Sequence, residues 1–576
     1  MALTQGLIAL FAGHSTCQIF GPARVATAAL CLAVATLPRL TIAAEPASLE
    51  VSPHRQIALI DKHIERHWEA SDVVPSREAD DGEFCRRVFL DLLGRIPSVD
   101  ELERFFSDST VERRGKLVDR LLGDAYIEEY ALNWTTVWTN LLIGRSGGMD
   151  RRSLVNRAGL EQSLRRALQR NMPYDQMVHE LIAAKGVSKP GEEDFNGFVN
   201  FLADKLQENA VQATAKSAQL FLGLQIQCTQ CHNHPFNDWK QNQFWEMNAF
   251  FRQTRALRRF GEGRDIESIE LVNQDFAGEN NRPEEAVLFY ELRNGLTKAA
   301  YPVFVDGTKL DSDSGFVEDV DRRGALADLM ISSEYLAPAL VNRMWAHFLG
   351  YGFTKPVDDM GPHNPPSHPE LLAELAEEFR LNSYDLKQLM RWIVLSRPYG
   401  LSSRMTRRNE QDDPALGTRP LFSHFYLRQM RAEELYESLL VATEADRAAT
   451  SYAEREANKR RWLEQFTLAF GTDDNAETTT FNGTIPQTLM MMNGDLVEKA
   501  TSLEEGSFLD RLAGDTKRHR ADKVTHLYLA ALSRRPTRSE VALYGRLYRL
   551  RDGNEAQALQ DLWWAVLNSN EFILNH

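Results

Sequence analysis

The sequence predicts a mainly α-helical protein, two helical domains joined by a small β-containing insert, and three observations carry that prediction. Apolar residues recur at intervals of three and four through most of residues 54–255 and again beyond residue 321, the spacing that gathers side chains on one face of a helix. Between residues 256 and 315 that spacing gives way to short runs bounded by Gly, Pro, Asn and Asp, which read as strands and turns. Capping signatures stand where helices should begin, as at Ser98-Val99-Asp100-Glu101 after Pro97. The chain has 576 residues, 43% of them hydrophobic and ten of them Trp, enough for two or three domains with sizeable cores.

Taken in order, residues 1–44 hold Arg24 and Arg39, no acidic residue, an apolar run over 25–37 and the small pair Ala43-Ala44 before Glu45. That is the layout of a cleavable export signal. The run is interrupted by Pro38-Arg39 and falls short of the roughly 20 apolar residues a membrane span needs. The mature protein is therefore expected to be periplasmic or extracellular, with no membrane span after signal cleavage. A formal net charge of −15 argues against nucleic acid and anionic membrane surfaces as partners.

The first helical domain is placed at residues 45–255. Ile57, Ile60, Ile64 and Trp68 make one apolar stripe, and Cys85 sits among apolar positions at helical spacing in Phe84-Cys85-Arg86-Arg87-Val88-Phe89-Leu90, so it reads as a core residue. Residues 126–142, with Trp134 and Trp138 four apart, are expected deep in the core, and residues 244–251 read as a helix with an aromatic face. In the insert, residues 256–315, strands are expected over 266–272, 286–292 and 301–307. The second helical domain, residues 316–576, opens near Asp321 with Leu326, Leu329 and Met330 on one stripe and Leu340, Met344 and Phe348 on the next. A turn-rich stretch over 352–366 leads to a second capping signature at Ser367-His368-Pro369-Glu370. Further helices are expected over 383–396, 428–442 and 454–470, then around Met490-Met491-Met492 and Trp563-Trp564.

The chemistry-bearing stretch lies at the end of the first domain: Gln227-Cys228-Thr229-Gln230-Cys231-His232-Asn233-His234-Pro235-Phe236. Two thiols three positions apart, with an imidazole directly after the second, form the attachment signature of a c-type haem. On a helical turn, residues three and four apart share a face, so Cys228 and Cys231 can make thioethers to the porphyrin while His232 serves as proximal iron ligand. Pro235 disfavours helical geometry at His234, which predicts a helix ending just past the proximal histidine. Three other readings compete. A redox Cys-x-x-Cys pair belongs near a βαβ unit, whereas these surroundings look helical. A zinc site could use Cys228, Cys231, His232 and His234, but the usual spacing separates the Cys and His pairs. A disulfide across so short a loop is often strained. With Cys17 and Cys31 removed by export, Cys85, Cys228 and Cys231 remain, an odd count that argues against a disulfide framework.

Several stretches together resemble a known family. They are Arg87-Val88-Phe89-Leu90-Asp91-Leu92-Leu93-Gly94-Arg95-Ile96-Pro97, the run from Phe221 through Phe236, Val341-Asn342-Arg343-Met344-Trp345-Ala346-His347-Phe348-Leu349-Gly350, Pro365-Pro366-Ser367-His368-Pro369-Glu370-Leu371-Leu372 and Asn568-Ser569-Asn570-Glu571-Phe572. The chain is similar there to secreted two-domain proteins of unknown function, greatly expanded in planctomycete bacteria, whose first domain is named cytochrome-like. The resemblance implies export and the cytochrome-like class without naming a reaction. A genomic setting similar to that of sulfated-glycan degradation hints at polysaccharide turnover. Where the family pattern reads Asp, this chain has Asn233, and the Cys-x-x-Cys-His core is intact.

A haem iron has either a sixth ligand or an open position, the choice that separates electron transfer from catalysis. His347 and His363 are the favoured distal candidates, with Met247, Met360, His368 and Met490 to Met492 also able to ligate. His234 is too close to His232 to reach the opposite haem face and is expected to orient the turn or bond a propionate. Asn342 and Arg343 could serve a propionate or an anionic substrate. The acid pairs Asp358-Asp359 and Glu433-Glu434 could suggest glycoside cleavage, but adjacent carboxylates on a helix diverge, so solvated faces are expected. The sequence thus predicts an exported protein with covalent haem c passing electrons to a redox partner protein. The alternative is a secreted glycan-processing or glycan-binding protein in which the Cys-x-x-Cys-His turn is a structural clip.

Overall fold

The structure, a computed structural model, describes residues 54–150, 152–261, 265–448, 451–471 and 484–576. The export signal expected at 1–44 lies outside the described residues. The first helical group comprises α1 (His54–Ala70), α2 (Asp81–Leu93), α3 (Val99–Ser107), α4 (Arg113–Leu122), α5 (Ile127–Ile143), α6 (Arg157–Gln169), α7 (Tyr174–Ala183), α8 (Gln207–Ser217) and α9 (Gln241–Asn248). The second comprises α10 (Arg322–Ser332), α11 (Leu336–Leu349), α12 (Pro369–Leu381) and α13 (Leu386–Val394). The last runs α14 (Ala432–Thr443), α15 (Tyr452–Phe470), α16 (Ile485–Asn493), α17 (Asp495–Ala500), α18 (Phe508–Gly514), α19 (Arg520–Leu532), α20 (Arg538–Leu550), α21 (Glu555–Leu567) and α22 (Asn570–Ile573). The protein is mainly α, as the periodicity predicted. Among the described residues no helix is long and apolar enough to cross a membrane.

Strands are few and short: β1 (Gly186–Val187), β2 (Thr254–Phe260), β3 (Ile266–Asn273), β4 (Leu288–Glu291), β5 (Thr297–Ala300), β6 (Arg428–Gln429) and β7 (Leu574–Asn575). They form an antiparallel sheet in the order β1-β3-β2 and the pairs β4-β5 and β6-β7. β3 and β4 fall where alternation predicted strands. The stretch 301–307 makes only an isolated bridge, Val303 to Lys309, and β2 was not anticipated. Its Arg255-Ala256-Leu257-Arg258-Arg259 lacks alternation because both faces of this outer strand are largely exposed.

Two apolar cores organise the helices. The first draws on α1 to α13, with Phe422, Phe425, Tyr426 and Leu529, while the second draws on α14 to α22. They meet across α2. This helix sends Val88, Phe89 and Leu92 into the first core and Leu90 into the second, where Ile96 follows it. The expected burial of Cys85, Trp134 and Trp138 is seen.

The polar residues of α2 tie the cores together. Arg86 donates to the carbonyls of Ala531 at 2.6 Å and Phe572 at 2.7 Å. Arg87 donates to the carbonyls of Leu401, Tyr399 and His576. Buried Asp91 accepts from Arg428 at 2.7 Å, Tyr399 at 2.7 Å and Asn575 at 2.8 Å. Gly94 ends the helix at φ 74°, a left-handed cap that glycine adopts without penalty. The next helix, α3, begins at the predicted capping box, with Ser98 and Glu101 bonding each other's backbone N–H. The second predicted box does not form. His368 occupies the cap position of α12 without a side-chain cap bond, and the Ser367 hydroxyl meets His368 Nδ1 at 2.9 Å instead.

Candidate cofactor-attachment site

The chain reaches the Cys-x-x-Cys-His stretch through α8, a π-helical turn over Ala218–Leu222, and Gly223 at φ 67°. Glycine suits the position on two counts: the left-handed backbone favours it, and a Cβ would stand 2.9 Å from Met360 Sδ, which would have to move. The Gly223 carbonyl accepts the Met360 N–H at 2.7 Å. Buried Leu224 and Ile226 then pin the chain before a single 3₁₀ turn, Gln227–Gln230.

The expected α-helical turn is therefore shorter and tighter, ending before Cys231 and His232. The cause is Thr229, whose N–H and hydroxyl both close on the Ile226 carbonyl, at 2.9 and 2.5 Å. A threonine hydroxyl bonding nearby backbone competes with helical hydrogen bonding in this way. Thr229 is buried, and Cys228 and Cys231 to either side of it are free and exposed.

His232 follows, half-buried, with Nδ1 at 2.7 Å from the Asn233 carbonyl. A carbonyl only accepts, so Nδ1 carries the proton and Nε2 keeps its lone pair for a ligand. His234 plays the orienting role expected of it: its N–H donates to the Trp239 carbonyl at 2.8 Å and its Nδ1 accepts from Phe236 and Asn237 at 3.3 and 3.2 Å. Desolvation lowers its pKa against the opposing charge of Asp359, and His363 and His232 lower it a little further. Asn233 Oδ1 accepts the Gln241 N–H at 3.0 Å. Gln241 and Trp245 on α9 both donate to the Gln230 carbonyl, at 3.2 and 3.1 Å. Phe236 beyond the turn is 84% exposed.

The other wall comes from far along the chain, the stretch between α11 and α12. Asn342 fixes it, accepting from the Phe353 N–H at 2.6 Å and donating to Thr354 Oγ1 and the Val357 carbonyl at 2.8 and 2.9 Å. Asp358 accepts from Gln219 at 2.9 Å and Gln225 at 2.8 Å, with Arg343 at 3.7 Å. Asp359 bonds His363 Nε2 at 2.9 Å, and the His363 ring lies 6.5 Å from that of His234. The solvated faces expected for the acid pairs are thus not what forms. Asp358 is buried, and Glu433 and Glu434 are held by Arg145 and Arg431 at 2.6 and 2.7 Å. Asp358, Glu433 and Glu434 have amide or guanidinium partners and Asp359 an imidazole, none of which the acid pairs themselves reveal.

The distal candidates are dispersed. His363 stands beside the turn, but its Nε2 is taken by Asp359, and Nδ1 lies 3.0 Å from where a Cβ on Gly361 would be. His347 is buried against Trp134 and Phe348, at ring-centroid distances of 4.8 and 5.1 Å, and its burial drives the pKa well below the ordinary value. Met360 is packed on Gly223, Met247 is fully buried, and His368 lies tilted against His67 at a ring-centroid distance of 4.1 Å. Met491 is buried in the second core. Asn342 is committed to the 352–366 stretch, while Arg343 lies 3.7 Å from Asp358 with its Nε buried and unbonded. Among the described residues no three His, Cys, Asp or Glu side chains are arranged to hold a metal ion.

The residues at the turn fit a c-type haem in the chemistry of the donor set. Two free, outward thiols three positions apart precede an imidazole whose Nδ1 is engaged by backbone, the second-contact arrangement that orients metal-ligating histidines.

Residues 59–256 match the family model PSCyt2, protein of unknown function (DUF1549). Residues 322–548 match PSD1, protein of unknown function (DUF1553). The chain thus carries two families of unknown function in that order, and the turn and its second wall come one from each. No curated protein and no solved structure matches the chain.

Proposed function

We propose that this is an exported cytochrome-like protein carrying one haem c on Cys228 and Cys231, with His232 as proximal ligand, and exchanging single electrons with a redox partner protein. The observation that carries the reading is the pairing of two free exposed thiols on one turn with an imidazole whose Nδ1 is already bonded to backbone. The resemblance to secreted planctomycete proteins with a cytochrome-like first domain supports it, as does the signal-like layout of residues 1–44.

Each thiol would add across one vinyl group, sulfur to one carbon and the thiol hydrogen to the other, with no net oxidation. Bound haem supplies a one-electron iron couple. The protein's own part is positional. Buried Thr229 keeps both sulfurs outward, the Asn233 carbonyl sets the His232 tautomer, and His234 holds the return of the chain to α9. Exposed Phe236 leaves an apolar approach beside the attachment turn.

The test is the reduced absorption spectrum in alkaline pyridine of protein matured in a host with c-type haem machinery, beside Cys228→Ala. A c-type band that shifts or disappears in the variant is the expected result. A folded wild type without covalent haem refutes the reading and returns the turn to the role of a structural clip.

A further inference from the structure

Asp358 has features that its own stretch of chain does not explain. It lies in the region matched to the second family, 4% exposed, yet both its oxygens are spent on the first. Oδ2 accepts from Gln219 at 2.9 Å and Oδ1 from Gln225 at 2.8 Å, while Arg343 stays at 3.7 Å. Gln219 lies in the π-helical turn and Gln225 stands three residues before Cys228. The Met360 N–H on the Gly223 carbonyl, 2.7 Å, ties the same two segments between these bonds.

We infer that Asp358 is the positioning residue of the attachment turn, so that the site is composite and the second family region registers the cysteines of the first. The inference rests on the haem reading for its electrochemical consequence and is independent of it for its structural one. A carboxylate is needed because two amide N–H donors converge on two different oxygens. An asparagine would offer one acceptor oxygen and present its NH₂ to the other glutamine, which must rotate its amide to answer it, and for Gln219 that rotation costs the 3.0 Å bond its Oε1 accepts from Lys216. Asp358 itself is buried, so an unanswered polar group there costs more than it would in water. Two neutral amides and a cation at 3.7 Å offset the carboxylate charge only in part. The residual negative charge favours oxidised over reduced iron at a neighbouring haem.

The experiment uses the full chain as wild type, Asp358→Asn, and Asp359→Asn, which neutralises the carboxylate bonded to His363 and spares both glutamines. Amide hydrogen exchange over residues 224–232 is the first readout, and the reduction potential of loaded protein is the second. Asp358→Asn is expected to exchange about tenfold faster in that segment, with core helices such as α5 unchanged, and to show a more positive potential. Asp359→Asn is expected to leave the segment as in wild type. Should Asp358→Asn fail to fold, Gln225→Ala severs one tie with the carboxylate in place and is expected to raise exchange in the same segment. Unchanged exchange over 224–232 in a folded Asp358→Asn protein overturns the inference, as does an equal rise in Asp359→Asn. Absence of covalent haem in wild type overturns the haem reading alone, and the exchange result still decides the role of Asp358.

Discussion

Replacing His368 by Phe isolates one ionisable group whose effect on stability follows from its surroundings. The His368 ring is 4% exposed and lies 4.1, 5.3 and 5.9 Å from the rings of His67, Phe422 and Phe353. Its Nδ1 meets the Ser367 hydroxyl, and its Nε2 is buried with no hydrogen-bond partner. Burial first, then the neighbouring His67 and His63, push the pKa from 6.5 down to about 3. The folded pKa lies below the unfolded one, so below pH 6.5 the unfolded chain takes up a proton that the folded chain refuses. The stabilisation is fully present above pH 6.5 and is lost progressively as pH falls towards 3. Between pH 8 and pH 5 the loss is RT ln(1 + 10^(6.5 − 5)), about 2 kcal/mol. A Phe keeps the ring contacts and removes the proton site. Urea unfolding of both proteins at pH 8 and pH 5 should show wild type losing about 2 kcal/mol more than His368→Phe across that interval. Equal losses in the two proteins would refute the account, because pH-independent costs of the substitution cancel in the comparison.

Two further outcomes follow from the same structure. Asp91→Ala should destabilise the protein by about 3–5 kcal/mol in denaturant unfolding, because it strands the buried Arg428 guanidinium without its counter-charge, and a loss under about 1 kcal/mol would mean that water replaces the carboxylate. In haem-free protein, a thiol reagent at neutral pH should label Cys228 and Cys231 in the native state and Cys85 only after unfolding. The first two are exposed, whereas burial raises the Cys85 thiol far above its ordinary range, and thiolate fraction and access together set the rate.

Much of the fold was legible because helices announce themselves locally. The stripe of Ile60, Ile64 and Trp68 and the Ser98–Glu101 capping box concern residues within one or two turns of each other, and both formed. Two of the places where local reading went astray are ones where distant groups compete. Ser367 looked like a cap, but His368 beside it takes its hydroxyl. Asp358 looked solvated, but Gln219 and Gln225 arrive from more than a hundred residues away.

The same division holds for the candidate site. The sequence by itself determined which atoms are available: two thiols and an imidazole at fixed spacing, with helical chain on both sides. Only the tertiary structure decided that Thr229 turns inward so that both sulfurs face out, that His363 is already bound to Asp359, and that the second family region closes on the first through Asp358 and Met360. It also decided where the cores divide, between Tyr426 and Met430, with α2 shared by both. The physical reason is range. Backbone preference and side-chain periodicity act over a few residues and can be read along the chain. A buried carboxylate's partners are set by which segments packing brings within hydrogen-bond distance.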